Sequence, residues 1–494
     1  MYHRLWRAAA ARLLYSAVAV QLASGHESKR VHRRVAIVGA GVGGTSCAYF
    51  LKEFGGSKIS VDLFEASRVG GRLATVKING KDYESGGSII HPHNKYMVEF
   101  VERLGLKKQD EADSGRMGIY NGKEFVFLET GCALLTLARL IWRYGLDMLR
   151  LRWFINDMLA HFSKIYRLQS SEHAFTSVPQ MLEAMSHEFV VQSHISLRQL
   201  LEEKGFRRNF IDEFVTSVTL VNYCQTASIP ALVGSVSVAG ATPHLWSVFG
   251  GNKLVPERLL AQSGAALHKV KVTVLGRGSD SKFYLRGEDE DNNTVSFEGY
   301  DAVVIAFPLV SNSKRQLTVQ NLPDLSPAEG PFHQTITTFA AGDIRASTWG
   351  LSDKKLPDSI YSCNPNLFYS CVAQWLSVDW TKEQPIPTGS KRVWKVFSGK
   401  RLTEGQFDQL FENVKDSHVT EWLAYPEYAG KPKKLDFQLD TNLYYVNAIE
   451  WAASAMEMSV IGAKNVALLI KHRLLDEKPE LIDSFVVDTN KPEL

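Results

Sequence analysis

The chain has 494 residues, 45% hydrophobic, 22% charged and 11% aromatic, with 56 Lys and Arg set against 53 Asp and Glu for a formal charge of +3. This length exceeds one compact core and implies two or three lobes, with apolar content enough to bury an interior without disulfides. Near-balanced charge and the lack of a long basic run exclude the nucleic-acid-binding classes.

The N-terminus reads as a targeting segment. Arg4 and Arg7 precede an apolar stretch, Ala8–Gly25, after which "HESKR" turns polar, with small Ala23 and Gly25 where a signal peptidase cuts. Residues 1–25 are therefore expected to be a secretory signal peptide. An uncleaved signal anchor is the alternative, although Arg12 interrupts the apolar core. Either version sends the chain into the secretory pathway. "NNT" makes Asn292 a glycosylation sequon in a polar run. The five cysteines, Cys47, Cys132, Cys224, Cys363 and Cys371, have neither CxxC nor metal-ligand spacing, so no metal site is expected. Cys363 and Cys371 could bridge, but two buried thiols are the commoner outcome.

Val35–Val38 reads as a parallel strand buried on both faces, and it runs into Gly39, Gly41 and Gly44 in GxGxxG spacing. The first glycine permits the turn, the second admits a pyrophosphate, and the third lets helix and strand pack. A helix is expected from about Thr45, its N-terminus favouring an anion. "KISVDLFE" follows as a second strand ending at Glu65, placed to accept ribose hydroxyls. Gly39, Ala40, Gly41, Gly43, Gly44 and Glu65 are thus candidate dinucleotide contacts. A glycine pair, Gly70 and Gly71, then Arg72, and a further pair, Gly86 and Gly87, come next. NAD-binding folds continue here into a crossover helix, whereas FAD proteins of the amine oxidase class place GGR here to return over the pyrophosphate. FAD, held non-covalently, is the expected cofactor, with Gly71, Arg72, Gly87 and Ser88 added to its contacts.

Later segments complete the pattern. "LHKVKVTVLGRG" alternates apolar residues and includes the candidate contact Val272, "YDAVVIAFP" is a buried strand, and "LYYVNAIEWAASAMEMSVIGAKNVALLIKHRL" is a strand, an acid at Glu450 and a long small-residue helix. Glu450 is expected to contact the cofactor side, and Glu457 to be a solvent-facing helix acid. Cys132–Tyr166 reads as helix broken at Gly145, apolar on more than one face and studded with Arg139, Arg143, Arg150 and Arg152. It is either part of a substrate lobe resting on a membrane surface or a core helix pair. "SLRQLLEEKGF" is a compact helix capped by Ser196 and stopped at Gly205.

The phrases "GGRLAT", "YESGGSIIHP", "WRYG", "GGNKLV", "WLAYP" and "AASAMEMS", in this order, resemble the prenylcysteine oxidase family from about Arg34 to the C-terminus. The resemblance implies a lysosomal FAD thioether oxidase. A hydride would leave the allylic carbon beside sulfur for the flavin, water would add, and the hemithioacetal would collapse to prenyl aldehyde and cysteine. Molecular oxygen would then be reduced to hydrogen peroxide. Farnesylcysteine and geranylgeranylcysteine are the implied substrates. His91 is the candidate catalytic group beside the flavin, with a brace for the turn before Pro92 as its alternative. Three positions depart from the family pattern: Cys224 for glycine, Phe249 for glutamate and Pro256 for cysteine. An amine oxidase with an aromatic cage, or a flavoprotein that binds prenyl lipids without turnover, are the competing readings.

The expected architecture is an α/β fold. A Rossmann-type FAD-binding domain is built from separated segments (33–128, 245–310 and 436–475). A mixed α+β substrate domain is inserted (129–244 and 311–435), and a tail (476–494) follows.

Overall fold

The computed structural model describes residues 32–475 apart from 110–114, 242–243, 313–316, 324, 326–329, 353–354 and 430–435. The expected leader and C-terminal tail lie outside the described residues.

Arg33–Val38 lies inside a six-stranded sheet. Val35–Val38 is buried, as a strand covered on both faces requires. It pairs in parallel with Ile59–Phe64, Val35 opposite Val61, and with Ala302–Ile305, Val35 opposite Ala302. Ala266–His268 extends one edge, while Leu443–Tyr445 and then Gln438–Asp440 extend the other. Three segments remote in sequence therefore make one sheet. Helices Val42–Gly55 and Met456–Leu474 pack against each other beside it. A small residue serves this packing: a Cβ on Gly43 would lie 3.8 Å from the Ser459 carbonyl oxygen of the last helix.

The second large element is a seven-stranded sheet ordered Phe411–Pro426, Phe332–Ile344, Val393–Ser398, Cys371–Trp375, Ser359–Ser362, Met117–Tyr120, Phe125–Leu128. The last two strands were expected in the first cofactor segment. Their pairing with Ser359–Ser362 puts them in this seven-stranded sheet and not in the six-stranded one. Conversely, Thr318–Gln320, expected in the substrate domain, pairs with Val270–Arg277 in a small four-stranded sheet. Short strands carry too little periodicity to reveal which sheet they join. Asn292 sits at the exposed hairpin tip of that small sheet, between Phe283–Asp289 and Thr294–Tyr300, with φ +63°.

Helices fill much of 133–239. Ala133–Tyr144 and Asp147–Phe162 break at Gly145, φ +63°, where a Cβ would collide with the Arg207 guanidinium at 2.6 Å. Leu197–Glu203 starts as expected, Ser196 Oγ accepting the Gln199 N–H at 3.1 Å, and is followed by Gly205 at φ +75°. All five cysteines are free, Cys363 and Cys371 included.

Candidate functional site

The first glycine loop divides its labour by space. A Cβ on Gly39, where φ is +109°, would lie 2.8 Å from the Ala306 carbonyl oxygen, and one on Gly44 only 1.9 Å from the Gly39 oxygen. A Cβ on Gly41 would meet no atom within 4 Å. The outer glycines are thus required for packing, and the middle one presents bare backbone to open space, as a pyrophosphate needs. The helix starts at Val42, earlier than expected, with neither a side-chain cap nor an acid in its first turn. Its first N–H groups therefore remain available to an anion. Gly43 faces the other way and packs on Val446, its built Cβ 3.1 Å from Cγ1.

Glu65 is buried at the end of the second strand and accepts the N–H groups of Ala40 (2.9 Å) and Ser67 (2.8 Å). It fixes the first loop and retains lone pairs for ribose hydroxyls. Val272 lies in the neighbouring four-stranded sheet, in Val270–Arg277 opposite Gly287.

The second loop is bonded to the first. Gly70 donates its N–H to the Ala40 carbonyl at 2.8 Å and forms a parallel bridge with Gly41. A Cβ on Gly71 would lie 3.4 Å from Gly41 Cα. Pro256 packs beside Gly70 in the first turn of Leu254–Ser263, where a missing N–H costs little. Arg72 forms a two-pronged pair with Glu450, Nη1 to Oε2 at 2.8 Å and Nη2 to Oε1 at 2.5 Å, and donates to the Ala424 carbonyl. Glu450 is fully buried and also accepts from Asn447 Nδ2 and Ser454 Oγ. Arg72 and Glu450 thus neutralise each other.

The third glycine pair meets a buried cation that sequence reading passed over. A Cβ on Gly86 would lie 1.8 Å from the Arg72 oxygen, and one on Gly87 would lie 3.9 Å from Met456, in the first turn of the last helix. Ser88 Oγ donates to the Gly86 carbonyl (2.8 Å) and accepts from Lys395 Nζ (3.0 Å). Nζ also donates to the Glu84 carbonyl at 2.8 Å. The ammonium lies within 4.4 Å of the Trp375 ring centre and 4.8 Å of that of Phe397. Burial pushes the Lys395 pKa down and the Glu84 carboxyl up. Asn252 closes the loop: its N–H donates to Glu84 Oε1 at 2.5 Å and its Nδ2 to the Gly87 carbonyl at 2.9 Å. Lysine inside "RVWKVFS" was the available signal, a lone charge in a strand otherwise apolar on both faces.

His91 lies three residues beyond Ser88. Its Nδ1 accepts the His93 N–H at 3.1 Å, the two rings stack at 5.1 Å, and burial lowers its pKa. This contact ties it into the turn that leads to helix Lys95–Arg103. Glu457 requires a correction: it is buried, not solvent-facing, and accepts the N–H groups of Tyr96 (2.8 Å) and Met97 (2.9 Å) and the Tyr166 hydroxyl (2.8 Å). Its carboxyl caps the start of Lys95–Arg103, a tertiary contact that helical periodicity cannot disclose.

Phe249 has its backbone N–H on the Lys107 carbonyl and its side chain 37% exposed. Cys224 ends helix Thr216–Tyr223 in the left-handed conformation, φ +47°, which accounts for the glycine expected there. Tyr223, Tyr425 and Tyr428 meet edge-to-face, with the Tyr223 and Tyr428 hydroxyls donating to the Ser454 and Glu450 carbonyls. A separate cleft of about 660 Å³, lined by Pro92, His93, Leu159, Phe162 and Tyr166 among others, contains none of the glycine-loop residues. Among the described residues no group of three or more His, Cys, Asp or Glu is placed to hold a metal.

A family profile described as prenylcysteine lyase matches residues 127–484, and one described as an NAD(P)-binding Rossmann-like domain matches 37–104. Prenylcysteine oxidase 1 of Bos taurus is 37% identical over 462 residues, 90% of each chain, and that of Homo sapiens 38% over 465 residues, 91% of each. Prenylcysteine oxidase 1-like of Homo sapiens is 34% identical over 500 residues, covering 99% of this chain and 100% of its own. Among solved structures, putrescine oxidase bound to putrescine superposes with a TM-score of 0.59 at 16% identity, covering 90% of this chain and 99% of that one. A fatty acid isomerase from P. acnes does so with 0.58 at 15%, covering 91% and 100%. Those two likenesses establish the fold alone. With the profile spanning well over half of the sequence and the relatives collinear with nearly all of it, the chain belongs to the prenylcysteine lyase family.

Proposed function

We propose that this chain is an FAD-dependent oxidase that cleaves the thioether of farnesylcysteine and geranylgeranylcysteine, acting in the lysosome and holding FAD non-covalently. The observation that carries this reading is the collinear likeness, over about nine tenths of both chains, to proteins named prenylcysteine oxidase 1. The residues fit the cofactor: bare backbone at Gly41, an uncapped helix start behind it, and Glu65 beside it. Bound FAD would supply a hydride acceptor for the carbon beside sulfur that oxygen can reoxidise, so that with one water taken up the products would be prenyl aldehyde, cysteine and hydrogen peroxide.

The protein's part is binding and positioning. The Val42–Gly44 N–H groups would hold the pyrophosphate and Glu65 the ribose. The Gly86–Ser88 loop, fixed by Lys395 and Asn252, would be the positioning element for the redox end. Non-covalent attachment accords with Cys47, the thiol nearest the first loop in sequence, whose pKa burial drives far up, leaving a protonated, unreactive thiol. His91 acts as a brace for the turn, given its Nδ1 contact to the His93 N–H.

Against an amine oxidase stands the tyrosine cluster. Its rings pack on one another and two of its hydroxyls are spent on backbone carbonyls, whereas an amine cage needs ring faces turned to open space. Peroxide release with farnesylcysteine, geranylgeranylcysteine, putrescine and cyclohexylamine as alternative substrates tests the reading. Turnover of both prenylcysteines and of neither amine is expected. Amine turnover without prenylcysteine turnover would reverse the assignment.

A further inference from the structure

Helix Ala133–Tyr144 wears its apolar side outward. Leu134, Leu135, Leu137, Ile141 and Trp142 are 77, 59, 53, 47 and 83% exposed, and only Tyr144 of the helix is buried. At about 100° per residue these five side chains share an arc of roughly 160°. The inner side is anchored instead by polar bonds: Arg143 forms a two-pronged pair with Glu213 (2.6 and 2.7 Å), Tyr144 donates its hydroxyl to the same carboxylate, and Asn209 donates to the Arg143 carbonyl. The next helix, Asp147–Phe162, continues the apolar surface with Leu149 (54%) and Trp153 (72%), reached across exposed Leu146. Large exposed apolar residues elsewhere among the described residues are single and scattered. A contiguous patch of this kind marks a docking surface.

Its charge identifies the occupant. Between Ala133 and Asn156 stand four arginines and one acid, Asp147. That acid is buried and spent on Arg150 and the Arg207 N–H. Arg139 and Arg152 are exposed. Exposed tryptophans and leucines with a cationic margin, the one exposed acid of the two helices being Asp157 a turn beyond Trp153, match the interface of an anionic bilayer, where indole rings sit at headgroup depth and arginines meet phosphates. Among the described residues no helix is long and apolar enough to cross a membrane, so the pair would lie in the plane of the interface. We propose that Ala133–Tyr144 and the first half of Asp147–Phe162 form a monotopic seat on membranes containing acidic phospholipid. The inference is independent of the catalytic reading.

The test is sedimentation of the purified full chain with vesicles of phosphatidylcholine alone or mixed with phosphatidylserine, at low and high salt, beside size-exclusion chromatography without lipid. Binding to the acidic vesicles is expected, weakened by salt, and lowered at least about tenfold by the double variant Trp142→Glu, Trp153→Glu. Both side chains are solvent-facing, so unchanged thermal unfolding of the variant is expected and separates lost docking from lost folding. Arg152→Gln should reduce the preference for acidic vesicles roughly fivefold. Wild-type protein that ignores both vesicle types, or a double variant that binds as well as wild type, overturns the proposal. A lipid-indifferent wild type that elutes as a dimer, with the double variant a monomer, would assign the face to a second copy of the chain.

Discussion

Replacing Lys395 with methionine separates what the buried ammonium does for the fold from what it does for the site. Nζ donates to the Glu84 carbonyl at 2.8 Å and to Ser88 Oγ at 3.0 Å among the rings of Trp375, Phe339 and Phe397. Two charge-assisted bonds of roughly 1.5–3 kcal/mol each are lost. Against this, an ammonium no longer has to be desolvated, a penalty of several kcal/mol. Methionine occupies a similar volume among aromatic rings. The net change in unfolding free energy should therefore stay within about 2 kcal/mol of zero. Ser88 fares differently, because the donor that orients its hydroxyl disappears and the Gly86–Ser88 loop can shift. Misplacement on the ångström scale costs about 10²-fold in rate. Stopped-flow reduction of the flavin by farnesylcysteine, run beside urea unfolding, measures both effects. A reduction rate within about threefold of wild type would refute the positioning role. A loss of stability above about 4 kcal/mol would make Lys395 a structural residue first.

Alanine at Gly41 should leave the apoprotein's unfolding unchanged and weaken FAD binding by about tenfold or more, since its Cβ enters open space. Alanine at Gly44 should abolish soluble expression, since its Cβ would overlap the Gly39 oxygen; equal behaviour of the two variants would contradict the loop's division of labour. Glu457→Ala strands two buried N–H groups, at Tyr96 and Met97, and should cost about 2–4 kcal/mol in urea unfolding. Burial pushes the carboxyls of both Glu84 and Glu457 up, that of Glu457 to about 7 from an ordinary 4.5. Each holds its proton more tightly folded than unfolded, so this stabilisation is complete below about pH 4.5 and is lost as pH rises to about 7. The urea midpoint should accordingly be higher at pH 5 than at pH 7.5, and the reverse order would contradict the assignment. Cys224→Gly relieves a left-handed φ of +47° and should raise stability by up to about 1 kcal/mol.

Sequence alone disclosed what local rules encode. The glycine spacing, the strand ending at Glu65 and the GGR turn are short-range patterns, and each forms the turn or strand end that its spacing implies. Gly145 and Ser196 were legible for the same reason, as a break and a cap read within one helical turn. What escaped depends on partners hundreds of positions away. Lys395 and Glu84, or Glu457 and the Tyr96 N–H, meet only once the sheets and helices have packed. Arg72 and Glu450 were both singled out, yet their pairing across 378 positions could not be read from either neighbourhood. Met117–Tyr120 shows the same limit at the level of domains, since four residues carry no mark of the sheet they will join. The exposed leucines of Ala133–Tyr144 fitted a core helix equally well until tertiary burial was known.

The most direct test of the central claim is anaerobic mixing of the FAD-loaded full chain with farnesylcysteine while the flavin's visible absorbance is followed. Bleaching of the flavin, reversed with release of hydrogen peroxide when air is admitted, is the predicted result. A flavin that stays oxidised with farnesylcysteine bound would contradict the account and leave a prenyl-lipid-binding flavoprotein in its place.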